Sequence, residues 1–172
     1  MTRLVVTMLL LAFTGATWAA GPPDAATWAR FVKIEEASRI NLRGIRLYQA
    51  GKLADATERF VEALKLREAM YPRARYPQGH PDLATSLNNL AALHKAQADY
   101  AKAEPLFRRA LEMREGLHPK SSHPKGHPHL AQSLDNLAGL HLSQGDYAKA
   151  EPLYRRALEM REIGRASCRE RV

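Results

Sequence analysis

Apolar and polar positions alternate along most of this chain with the period of an α-helix. From about Ala25 to Gln49, the residues Trp28, Phe31, Val32, Ala37, Ile40, Gly44 and Leu47 fall on broadly one side of a helix. Gly51-Lys52 marks a turn. Leu53 to Met70 then predicts a second helix with Ala56, Phe60, Ala63 and Leu64 on its buried face. Alanine and glycine at the crossings let two helix backbones approach closely. Two prolines in the stretch 71–79 end this helix, and His80-Pro81 opens the next. Proline suits a first helical position, where its missing N–H would have had no partner.

The same pattern then repeats. The stretch from His80 to Glu115 returns 47 positions later, from His127 to Glu162, and 27 of the 35 positions from Pro81 and Pro128 onward are identical. A looser copy lies 47 positions earlier, where Ile40, Gly44, Gly51, Ala56, Phe60, Ala63, Leu64, Arg67 and Glu68 align with Leu87, Ala91, Ala98, Ala103, Phe107, Ala110, Leu111, Arg114 and Glu115. A fixed period of this size predicts an all-α solenoid of about three stacked helix pairs, 38–79, 80–126 and 127–162. Pro-rich basic loops at 71–79 and 118–126 lengthen each unit. Pro105 and Pro152 sit inside the second helices and predict a mild bend rather than a break.

The unit resembles the tetratricopeptide repeat, in its kinesin-light-chain-like subtype. The residues that carry the likeness are Leu87, Leu90, Ala91, the Ala98-Asp99-Tyr100 turn, Ala103, Phe107 and Ala110, matched by Leu134, Leu137, Ala138, Gly145-Asp146-Tyr147, Ala150, Tyr154 and Ala157. The subtype is carried by the His-Pro start, Leu-Asn-Asn-Leu-Ala in the first helix and Ala-Glu-Pro-Leu in the second. The resemblance implies a right-handed superhelix of antiparallel helix pairs, whose concave groove binds a protein or peptide segment.

The ends read differently. Arg3, the apolar run from Leu4 to Phe13 and the small residues around Trp18 have the form of an export signal, with cleavage expected after Ala19. That run is too short to span a bilayer comfortably, so no stable membrane span is expected after cleavage, and the expected location is periplasmic or extracellular, in a bacterium. Residues 20–37 form a linker and the start of the first helix. The decapeptide Ile163 to Val172 fits nothing before it and matches a translation of a common DNA-sequencing adapter. It is expected to be non-native, with the natural chain continuing past Glu162.

The formal net charge is +8, and it falls to +5 without the tail and the signal. Much of the remainder sits in the loops and in the Arg108-Arg109 and Arg155-Arg156 pairs, which reads as a solvated face. A nucleic-acid binder would want a dense basic stripe with stacking aromatics, so no nucleic acid is expected. The one cysteine, Cys168, lies in the tail, which leaves the repeats without thiol chemistry.

The two close copies differ at eight positions: Asp82/His129, Thr85/Gln132, Asn88/Asp135, Ala92/Gly139, Lys95/Leu142, Ala96/Ser143, Ala98/Gly145 and Phe107/Tyr154. The differences at 85, 88, 92, 95 and 96 share one face of the first helix, the face that lines the groove in the family it resembles. Exposure alone does not explain the pattern, because Lys102, Arg108, Arg109, Glu112 and Arg114 are expected to be exposed and are unchanged. The groove is therefore assigned to Asn41, Tyr48, Thr85, Asn88, Asn89, Ala92, Lys95, Gln132, Asp135, Asn136, Leu142 and Ser143. Ser38, Ile45 and Gln49 complete the face in the first copy. The resemblance implies that Asn89 and Asn136 hydrogen-bond the backbone of a bound segment, an amide being donor and acceptor at once. The other reading open for them is a helix-to-helix bond, and the first copy has Leu42 there.

Other chemistry is thin. His118, His123, His127 and His129 lie close in sequence, but their pairing with proline reads as turn and helix-start chemistry rather than a zinc site. His94 and His141 read as structural histidines. No Ser-His-Asp set, phosphate loop or carboxylate pair proposes catalysis, so neither enzyme activity nor a cofactor is expected. The alternative function is a regulatory arm of a larger enzyme or effector, for example one with a caspase-like or kinase domain.

Overall fold

The structure, a computed structural model, describes residues 24–119 and 127–169, with side chains up to Glu162. Six helices account for the described elements: α1 Ala25–Gln49, α2 Leu53–Met70, α3 Pro81–Ala96, α4 Tyr100–Leu117, α5 Pro128–Ser143 and α6 Tyr147–Arg169. Among the described residues there is no strand, and no helix is long and apolar enough to cross a membrane. The export signal and His123 lie outside the described residues.

The chain divides into two compact units, Met1–Val32 and Lys33–Val172. In the first, Asp24 caps α1 by accepting from the Thr27 N–H at 2.7 Å, and Trp28 meets Phe31 edge to face. Phe31 and Val32, expected on the buried side, are both exposed. The apolar pattern of the first helix thus extends further than its burial does.

In the second unit each hairpin packs within itself (α3 on α4, α5 on α6) and on the next hairpin, α2 on α3 and α4 on α5. Burial follows the repeat. Ala56, Ala103 and Ala150 are buried, as are Phe60 with Phe107 and Ala63 with Ala110 and Ala157. Each hairpin alone has one apolar face, and stacking buries these faces in two core clusters, one around Leu83, Leu87 and Leu90 and one around Leu130, Leu134 and Leu137, with Leu106 packed against both. Gly44 lies at a close crossing: a Cβ there would sit 2.8 Å from the Phe60 ring.

Local signals set the helix ends. Gly51, Ala98 and Gly145 take left-handed backbone, at φ +73°, +58° and +76°. Each closes a paired-bond stop: Ala98 N–H donates to Lys95 O and Asp99 N–H to His94 O, and Gly145 and Asp146 repeat the pair on Leu142 and His141. Asp99 and Asp146 then start the next helices, their carboxylates accepting from the N–H of Lys102 and Lys149. His80 and His127 cap α3 and α5 through Nδ1, each at 3.2 Å from the N–H two residues on. The histidine-proline pairs are helix starts, as their sequence position indicates. Pro105 and Pro152 lie within unbroken helices.

Candidate functional site

The first helices of the three units, α1, α3 and α5, carry the assigned groove residues, and the structure sorts them into two sets. Thr85, Gln132, Ser143, Tyr48 and Leu142 are exposed, and Asn89, Asn136, Ala92 and Lys95 are half-buried. Asn41 and Asn88 are not open to a groove at all. Both are buried, Asn88 at 6 % exposure, because they turn toward the next first helix. Asp135, the third member of that register, is half-buried and pairs with Arg161.

A ladder of side chains results. Asn89 Nδ2 donates to Asn41 Oδ1 at 3.0 Å, and Asn136 Nδ2 donates to Asn88 Oδ1 at 3.4 Å. Asn88 itself donates to Ser133 Oγ at 3.2 Å. A buried amide left unpaired would be costly, so each rung fixes the register of two successive helices. The helix-to-helix bond left open for Asn89 and Asn136 therefore exists. It uses one N–H of each amide and leaves each carbonyl with no partner among the described residues. Of the assigned hydroxyls, Thr85 donates to Pro81 O and Ser143 to Gly139 O, both within their own helices.

Two buried arginines pin the hairpins together, and sequence reasoning had placed one of them, Arg114, on the surface. Arg67 Nη1 donates to Asp82 O at 2.8 Å and to Ser86 Oγ at 2.7 Å. Arg114, at the same register one unit on, donates to His129 O as Arg67 does to Asp82 O, but its second bond goes to Thr85 Oγ1 of its own hairpin. Desolvation pulls both guanidinium pKa values below the ordinary range, and the carbonyls compensate the buried charge. The sequence does show an arginine at one register of every second helix, Arg67, Arg114 and Arg161, but only the two that are followed by another hairpin are buried. Glu68–Arg109 and Glu115–Arg156 pair successive second helices at 2.8 Å and are half-exposed, so they contribute little.

The remaining histidines differ from one another. His141 is buried and its Nδ1 meets Gln144 Oε1 at 3.2 Å, whereas His94 Nδ1 has no hydrogen-bond partner among the described residues. Tyr71 and His80 stack at 3.6 Å, and His118 and His127 repeat the stack at the second junction. A cavity of about 430 Å³ opens beside the first loop, between Tyr71, Tyr76 and Met113. Among the described residues no cluster of histidine, cysteine, aspartate or glutamate is arranged to hold a metal ion.

Family models for the tetratricopeptide repeat match residues 37–82, 83–129 and 122–163. The chain belongs to the tetratricopeptide repeat family. As a tetratricopeptide repeat protein it is an α-solenoid of stacked helix pairs, and its relatives in structure agree with the kinesin-light-chain-like subtype. The crystal structure of BtubC (BKLC) from P. vanneervenii is similar with a TM-score of 0.62 at 26 % identity, over 75 % of this chain and 48 % of that one. The chain thus spans about half the length of that structure. No curated protein matches it. Repeats of this family are, in general, protein-interaction modules.

Proposed function

We propose that this tetratricopeptide repeat protein is a scaffold that binds an extended peptide or protein segment along the face formed by α1, α3 and α5. It acts by binding and not by catalysis. The observation that carries this reading is the state of Asn89 and Asn136. The ladder holds each amide in one orientation and leaves its carbonyl with unused hydrogen-bonding capacity on a half-buried face. An amide fixed before the ligand arrives loses little entropy on binding and can accept a backbone N–H. Thr85, Gln132, Lys95, Leu142 and Ser143 lie on the same helices and differ between the two closest copies, so they supply side-chain selection. The N-terminal segment read as an export signal would put this binding in the periplasm or outside the cell.

A displayed library of random decapeptides tests the proposal. Enriched peptides should bind the full chain and lose about tenfold in affinity on Asn136→Leu, the residue type the first copy carries at this register, with helicity retained in far-ultraviolet circular dichroism. A library that enriches no peptide over a scrambled control would sink the reading.

A further inference from the structure

The two junctions between hairpins carry the same three registers with different chemistry. Where the first has Tyr71, His80 and Asp82, the second has His118, His127 and His129. At the first, Tyr71 stacks on His80 at 3.6 Å, and its hydroxyl donates to Asp82 Oδ2 at 3.2 Å. The same Oδ2 lies 3.7 Å from His80 Nδ1. At the second, His118 stacks on His127 at 3.6 Å with the rings within 2° of parallel, and the His129 ring stands 5.2 Å from His127. The hydroxyl and the carboxylate of the first junction are both replaced by imidazole.

His127 has a task that requires its neutral form. Its Nδ1 accepts from the His129 N–H and caps α5. A neutral ring does this with Nδ1 bare, so acid places a proton on the accepting atom itself. The cap is then lost, and a positive charge stands at a helix N-terminus, where the helix dipole disfavours it. His80 caps α3 in the same way, but there a new N–H has Asp82 Oδ2 to turn to. A charged His80 also keeps a favourable ring contact, because the Tyr71 phenol stays neutral in acid and its face attracts a cation.

The described titratable neighbours of His127 are bases: His118 at the end of α4, His129 on α5 and Arg114, which donates to the His129 carbonyl of the same turn. The sequence from Gly116 to Leu134 contains no aspartate or glutamate, and the carboxylates that bracket it, Glu115 and Asp135, are held by Arg156 and Arg161. We propose that the start of α5 is an acid-sensitive joint: protonation of His127 beside His118 and His129 releases the cap, loosens the turn that anchors Arg114 and weakens the seat of the third hairpin on the second. The first junction, with Asp82 in place, stays closed under the same conditions. The stability that depends on a neutral His127 is full well above the ordinary imidazole value of about 6.5 and is lost as pH falls below it.

Amide hydrogen exchange on the full chain tests this at two equivalent amides, Ala84 and Ala131, which donate to His80 O and His127 O. An ordinary imidazole is about 90 % protonated at pH 5.5, so a turn that needs it neutral should open about tenfold more often there than at pH 7.5. The protection factor of Ala131 should fall about tenfold between the two conditions, and that of Ala84 by less than about twofold. Ordinary carboxylates stay ionised across this range and do not contribute. His127→Asn caps a helix without titrating, and His129→Asp installs the residue type found at this register one unit earlier. Each should remove most of the acid loss at Ala131, whereas a loss caused by His141 would persist. Protection at Ala131 that acid leaves unchanged, that falls no further than at Ala84, or that falls as far in His127→Asn as in the parent overturns the proposal. If a variant does not fold, the two amides of the parent chain decide.

Discussion

Asn136 donates a hydrogen bond to Asn88 across two hairpins, and Asn89 does the same to Asn41 one unit earlier. The bond runs between neighbouring registers and not equivalent ones, so each rung measures the offset between successive first helices. Asn88→Ala should destabilise the protein by about 1–3 kcal/mol, because it removes the donor to Ser133 and the acceptor of Asn136. Urea unfolding measures the loss. Combining it with Asn136→Ala should cost clearly less than the sum of the two, and strict additivity would mean the rung is not a working contact.

The buried arginines should matter more than the surface ion pairs. Arg114→Met keeps most of the apolar bulk but removes the donors to His129 O and Thr85 Oγ1. A loss of about 2–3 kcal/mol is expected, as for hydrogen bonds from a charged group. Glu115→Gln, which weakens only the half-exposed pair with Arg156, should cost under about 1 kcal/mol. Equal costs in a urea melt would contradict the burial argument.

Ala98 occupies the left-handed turn position that Gly51 and Gly145 fill at the other two hairpins. An L side chain is strained there by about 1–2 kcal/mol. Ala98→Gly should therefore stabilise the protein by about 1 kcal/mol, even after the entropy that glycine adds to the unfolded chain. A lower melting temperature in the variant would count against the left-handed turn.

Gly44→Ala brings two effects into competition. Alanine favours helix over glycine by about 1 kcal/mol. The new methyl, however, would meet the buried Phe60 ring at 2.8 Å, and overpacking of that kind costs about 1–3 kcal/mol. Net destabilisation is expected, and Phe60→Leu in the same chain should relieve part of it.

Acid should loosen the helix starts. The folded pKa of Asp99 lies below its ordinary value of 3.8, first through the hydrogen bond with Lys102, and Asp146 behaves the same way with Lys149. A depressed carboxylate contributes stability that is fully present above the unfolded pKa and is lost as pH falls through the folded one. Unfolding midpoints measured from about pH 5 down to about pH 2 should fall less steeply in Asp99→Asn with Asp146→Asn than in the parent chain. An identical slope would remove these two carboxylates from the acid response.

The fold was legible in this sequence because a 47-residue repeat states the same local facts three times. Small residues at Ala56, Ala103 and Ala150, aromatics at Phe60 and Phe107, and turns at Gly51 and Gly145 each announce their role through spacing and backbone chemistry alone. Such properties belong to single helices and turns, so periodicity carries them.

The candidate site was only partly legible, because its defining features lie between helices. Helical spacing put Asn88 and Thr85 on one stripe, but only the packing of α5 on α3 decided that Asn88 is buried while Thr85 is exposed. Arg114 reads as a surface cation until the start of α5 supplies a carbonyl for it. His118, His127 and His129 are separate loop and helix-start residues in sequence. They become one feature because the end of α4 is set against the start of α5. Sequence by itself determined the helices, their ends and their repetition, which depend on short-range propensity and period. Tertiary structure alone decided which polar groups face solvent and which face one another, because that depends on how one hairpin is set against the next.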